Sequence, residues 1–204
     1  MRARNIFVAV VIIVLAAAVV LAKWILHDGL SARANPSRLE MFIARHARRM
    51  AIPSGAREAA NPVADSADVQ REARRHFADH CAVCHGNDGG GENPMGHGLY
   101  PKPPDLRGPR TQKLSDGELF WIIENGVRFT GMPAFGGMGE HGNGEDSWKL
   151  VRFIRHLPQL TMEERMEMER YNPKGPDDRT EEQQEEDFLK GGAPQPGSAS
   201  PHHH

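Results

Sequence analysis

"FADHCAVCHGNDGG", residues 77–90, holds both cysteines of the 204-residue chain, Cys81 and Cys84, with His85 directly after the second. Helix positions i, i+3 and i+4 share a face, so these three side chains can address one flat ligand from the same side. A disulfide between the thiols is sterically open but would close a tiny loop and restrict the unfolded chain little. A C-x-x-C redox pair wants a βαβ setting, and no such pattern surrounds it. Zinc needs two further ligands; no second C-x-x-C or H-x-x-x-H follows the motif, so His80 or His97 would have to be recruited. The reading that uses every residue of the cluster is covalent attachment of a c-type haem, for which C-x-x-C-H is the signature. Both thiols would form thioethers to the ring's vinyl groups and the His85 imidazole would coordinate iron.

The flanks predict a small, mainly α domain over residues 68–160. Val69, Ala73, Phe77 and Cys81 are spaced for a helix that Gly86 stops. In "KLSDGELFWIIENG", Ser115 and Glu118 form a capping box, Leu119, Ile122 and Ile123 an apolar face, and Gly126 an end. "EDSWKLVRFIRHLP" offers Trp148, Val151, Phe153 and Ile154 for burial before Pro158. The remainder is Gly- and Pro-rich loop without strand alternation. So small a domain is short of core, and an apolar macrocycle held covalently would supply what is missing.

An electron carrier needs a second strong iron ligand opposite His85, and a methionine there raises the potential. Of nine methionines, Met95, Met132 and Met138 lie in the loops of this domain. Met132, in "RFTGMPAFGG", is the first choice: Gly131 gives backbone freedom and Pro133 holds it extended. Met138 is second.

Residues 68–160 resemble the class I monohaem cytochrome c family, particularly bacterial modules. The resemblance rests on seven elements in order: Phe77, the motif from Cys81 to Gly86, the Gly89 to Gly91 stretch, Pro104-Asp105-Leu106, the Leu119 to Ile123 helix, the Gly131 to Phe135 turn and Trp148. It implies one covalent haem c, His85 and Met132 as axial ligands, and Pro104 and Leu106 near the ring. It also implies a first helix crossing the last, with Phe77 near Phe153. The Gly-rich residues 136–146 and the long acidic extension depart from the pattern. Residues 137–142 also satisfy G-x-G-x-x-G, but no strand precedes them and no βαβ unit follows, so nucleotide binding is rejected.

Residues 1–26 read as a membrane anchor, since residues 6–22 are an unbroken run of 17 apolar residues after Arg2 and Arg4. The rival is a signal peptide cleaved after Ala22. Residues 27–67 read as a juxtamembrane helix, with Leu39, Phe42, Ile43, His46, Ala47 and Met50 on one stripe, followed by a flexible Ala-, Pro- and Ser-rich tether. Arginines on both sides of the apolar run leave the orientation open; attachment of haem outside the cytoplasmic membrane, which the resemblance implies, places the domain in the periplasm. Residues 161–204 form an acidic extension, with capping-type openings at Thr161/Glu164 and Thr180/Gln183 and an apolar tip at Phe188 and Leu189. It reads either as solvated chain or as a docking segment for neighbouring subunits. Residues 201–204 read as an unstructured His-rich end or an appended remnant.

A net charge of −2, from 25 basic and 27 acidic side chains, gives no reason to expect nucleic acid. The expectation is a single-pass protein of the bacterial inner membrane that is not an enzyme itself. It passes single electrons between redox-protein donor and acceptor, as a free carrier or within a larger respiratory complex. The alternative is a haem enzyme or gas sensor whose sixth iron site is open or labile.

Overall fold

The computed structural model describes residues 2–28, 31–137 and 144–175, together with Leu189. These residues are mainly helical, and no strand occurs among them. The elements are α1 (Arg2–Asp28), α2 (Arg38–Ala51), α3 (Ser54–Glu58), α4 (Ala67–His76), a π-helical turn (Phe77–Cys81), α5 (Ala82–His85), α6 (Pro94–His97), α7 (Pro109–Gln112), α8 (Asp116–Asn125), α9 (Glu145–His156), a 3₁₀ turn (Leu157–Gln159) and α10 (Met162–Glu169). Met138, most of the G-x-G-x-x-G stretch, Thr180, Phe188 and residues 201–204 lie outside the described residues. In α1, the 20-residue segment Arg4–Lys23 is long and apolar enough to cross a membrane, with a mean hydropathy of 3.0 and no part of it buried.

The core forms where α4 crosses α9 and α8 packs beside them. Phe77 and Phe153 are both buried, with ring centroids 5.2 Å apart at 59°, as the resemblance implies. Trp148, Val151 and Ile154 of α9 and Leu119 and Ile123 of α8 complete the cluster. Phe120 stacks on Trp148, with 4.1 Å between centroids. Both expected helix starts and stops are present: Ser115 and Glu118 form the capping box, and Gly126 ends α8 at φ 63°. Gln112 bridges the layers, its amide donating to the Leu106 and Ile154 carbonyls at 2.8 Å each.

The expected flexible tether is a strap instead. Ile52 is 1% exposed, and α3 lies across α8. Ser115 Oγ donates to the Arg57 carbonyl at 2.7 Å, Asn61 Nδ2 to the Trp148 carbonyl at 3.0 Å, and Arg152 Nε to the Val63 carbonyl at 2.9 Å. Composition misled here because backbone carbonyls supply the bonds, and any sequence can offer those. Gly117 makes the approach possible, since a Cβ there would stand 1.8 Å from the Ala56 carbonyl oxygen. Gly117→Ala is expected to cost roughly 1–3 kcal/mol by overpacking, outweighing the ~1 kcal/mol that alanine gains in an unobstructed helix. The loss should appear as faster amide exchange across residues 54–64.

The start of the acidic extension docks on the same body rather than running free in solvent. Thr161 and Glu164 form the expected capping box, and Met168, which the sequence hides among charges, is fully buried against the core. Arg74 holds Glu164 and Glu167 at 2.7 Å each, His156 Nε2 is 3.0 Å from Glu164, and Arg75 lies over the Tyr171 ring at 5.6 Å. Leu189, named as part of an apolar tip, is exposed.

Burial opposes ionisation of Glu164, but hydrogen bonds from the Thr161 backbone and the His156 ring outweigh it and hold the carboxyl below its ordinary value of 4.5. A carboxyl depressed on folding contributes stability above its unfolded pKa, and that stability is lost as pH falls through the folded value. Acidification from pH ~5 to ~3 is therefore expected to loosen α10. Glu164→Gln should remove roughly 1–2 kcal/mol of docking at neutral pH and flatten this acid step, as read by amide exchange over residues 162–169.

Candidate functional site

The chain reaches the cysteines through a change of helix type. Steps of four residues overshoot a 3.6-residue turn by ~40° each, so Val69, Ala73, Phe77 and Cys81 would drift off one face of an ideal α-helix. The π-helical turn Phe77–Cys81, with its wider i→i+5 pairing, takes up that overshoot between the core contact of Phe77 and the motif. The sequence spacing predicts uninterrupted helix; the π turn is the difference. Such turns concentrate at functional sites. Gly86 then stops α5 at φ 72°, its N–H donating to the Ala82 carbonyl at 2.7 Å.

Both thiols are free. Burial, and secondarily the neighbouring Cys84, push the Cys81 thiol up to about 12, and burial raises Cys84 as well. Neither has the lowered pKa of a reactive thiolate. Burial also lowers the His85 pKa, with the Pro104 carbonyl opposing it, so the ring is held neutral, the form that coordinates metal. His85 Nδ1 is nonetheless buried without a hydrogen bond of good geometry. The Pro104 carbonyl is the acceptor close by. A metal-bound histidine generally orients itself through such a contact on its second nitrogen. An imidazole whose Nδ1 lies beside the Pro104 carbonyl, with two free thiols on the same turn, fits a ring coordinated through its other nitrogen.

The loop after the motif clasps it. The Gly91 N–H donates to the His85 carbonyl at 2.7 Å, Asn93 Nδ2 to the Ala82 carbonyl at 3.2 Å, and Asn93 Oδ1 caps α6 by accepting from the Gly96 N–H at 2.7 Å. Gly96 lies against the Cys84 carbonyl, where a Cβ would come within 2.7 Å. Leu106 is buried in the core, its N–H donating to the Gly89 carbonyl at 2.8 Å. Pro104 has an exposed ring and turns its carbonyl toward His85.

Met132 is on the loop that folds back from α8. Its N–H donates to Thr130 Oγ1 at 3.1 Å and its carbonyl accepts from Val127 at 3.2 Å. Phe135 and Gly136 donate to the Ile123 and Glu124 carbonyls at 3.0 and 2.9 Å, fastening the loop to the end of α8. Gly131 lies against the Leu99 side chain, joining this loop to the one that clasps the motif. Phe129, at φ 62° and 91% exposed, makes the tight part of the turn in a conformation rare for a bulky side chain. Cys81, Met132 and Phe135 all pack against the one core cluster. Met95, the third loop methionine, is 54% exposed on α6.

Sequence reasoning missed Asn93 and Leu99. Asn93-Pro94 is a legible N-cap signal, whereas nothing in the sequence around Leu99 marks its contact with Gly131.

A family model described as "Cytochrome C oxidase, cbb3-type, subunit III" matches residues 68–154, the interval that holds α4, the motif, both loops, α8 and most of α9. No curated protein matches the chain. The motif, the crossing of α4 on α9 and this match agree, and residues 68–154 are a c-type cytochrome domain, consistent with a class I monohaem cytochrome c.

Proposed function

We propose that the protein is a membrane-anchored monohaem c-type cytochrome that carries single electrons on the periplasmic side of the bacterial inner membrane, as a subunit or close partner of a respiratory complex. A c-type cytochrome domain implies haem binding and electron transfer. Bound there, haem supplies an iron that changes oxidation state by one electron. Cys81 and Cys84 would hold the ring by thioethers, His85 and Met132 would ligate the iron, Pro104 would orient the imidazole and Leu106 would pack close by. The observation that carries this assignment is the His85 ring, its buried Nδ1 beside the Pro104 carbonyl, on the same turn as two free thiols.

These side chains give the domain two properties of a carrier. His85 ends α5 and is clasped by the Gly91 N–H, and the Met132 loop is fastened to α8 by backbone hydrogen bonds, so little of the protein need rearrange when the charge changes. The site's half-buried position against the core lowers its dielectric, a lever on the potential. The apolar Arg4–Lys23 segment supports an anchor, and the matched family, an oxidase subunit, supports a place in a complex.

The test is the holoprotein from its own membranes: haem stain on a denaturing gel, a reversible one-electron titration, and exposure of the ferrous form to carbon monoxide. One covalent haem, one wave and no carbon monoxide adduct are expected. Ready binding of carbon monoxide would transfer the protein to the sensor or enzyme class.

A further inference from the structure

We infer that α2 lies flat on the anionic surface of the membrane, its apolar stripe in the lipid interface, and sets the distance of the cytochrome domain from the bilayer. The inference builds on the anchored reading above. At ~100° per residue, Leu39, Phe42, Ile43, His46 and Met50 fall on one side of α2. Leu39, Phe42, Ile43 and Met50 are 66%, 53%, 56% and 78% exposed, and no residue of the helix is fully buried. The stripe is turned away from the domain: the helix's half-buried residues, Met41 and Arg48, lie on the opposite side, where Arg48 meets the charge of Glu118. Glu40 is bonded by Tyr100 Oη at 2.9 Å, and Ile52, directly after α2, is buried. The helix is thus fixed to the domain by one face and presents the other outward.

Charge and position choose lipid as the occupant. Arg38, Arg45 and Arg49 border the stripe, and Glu40, the only acid in α2, is engaged in the capping box with Ser37. A basic border beside an apolar face is the pattern of interfacial helices on anionic lipid, with arginine stems reaching from the apolar layer to the headgroups. The candidate span ends at Lys23 and α2 begins at Arg38, so the stripe is held near the bilayer by a short connection.

The test uses the full-length holoprotein, whose own cysteines are consumed by the haem, reconstituted into vesicles of phosphatidylcholine with or without phosphatidylglycerol. Nitroxide labels go singly at Leu39→Cys, Ile43→Cys and Met50→Cys, at Arg45→Cys and Arg49→Cys, and at Ala17→Cys in α1. Stripe labels are expected to collide several-fold more with oxygen than with a water-soluble nickel complex, with the ratio reversed at Arg45 and Arg49, and more sharply so with phosphatidylglycerol. Water-like ratios at all α2 positions overturn the inference. Stripe labels shielded from both reagents in native membranes but water-exposed in pure lipid also overturn it, in favour of a protein partner. The Ala17 label reports the anchor separately: water exposure there defeats the anchored reading, while the stripe labels still decide the fate of α2.

Discussion

Met132→Ala lowers the reduction potential by roughly 0.2–0.4 V, a large part of the ~0.8 V over which axial ligands tune haem, and removes the weak far-red band of methionine bound to ferric iron. The expectation follows from how the loop is built. Thr130, Val127 and the end of α8 fix the backbone around Met132, so the loop keeps its place when the side chain is truncated. Met95 is on the exposed α6, across the clasping loop. Because the side chain is half-buried and packs on the core cluster only partly, the fold should survive, which a preserved helical spectrum would verify. An unchanged potential and band would remove Met132 from the iron and put Met138 forward.

The Cys81→Ser, Cys84→Ser double variant is expected to lose all haem from a denaturing gel while retaining helical structure in part. Serine cannot make a thioether, and the ring is then held only by its axial contacts. A ligand present at 100-fold over its dissociation constant contributes about 2.7 kcal/mol; losing that much from a domain of this size lowers the melting temperature by ~10 °C or more. Cys81, half-buried against the core, is the more sensitive of the two positions, since its hydroxyl replacement would lack a partner in surroundings apolar enough to push the thiol up to about 12. A double variant that keeps a stained band would show attachment through another residue.

What could be read from the sequence was whatever is local. Ser115 and Glu118 bracket a helix start because the box is closed within four residues, and Gly126 marks its end because a positive φ favours glycine. The burial of Trp148, Val151, Phe153 and Ile154 follows from helical spacing. The motif was legible because its chemistry demands three residue types at one spacing. What was hidden depends on distant chain. The strap over α8 is held by carbonyls of Arg57 and Val63, which carry no sequence signature. Met168 is one apolar residue in a charged segment, and its burial is secured by pairing Arg74 with Glu164 and Glu167, some ninety positions away. The π turn was invisible because hydrophobic spacing alone does not distinguish a helix that drifts from one that widens.

The strap of residues 52–64 changes how far an anchored chain can search. If the whole connecting region of residues 27–66 were free, its 40 residues could extend to about 140 Å. With α2 and the strap fixed to the cytochrome body, only the ten steps from Asp28 at the end of α1 to Arg38 at the start of α2 remain, at most about 35 Å when straight. On the anchored reading proposed above, such a leash would give a partner embedded in the same membrane a high effective concentration of electron carrier and deny it to one diffusing far from the surface.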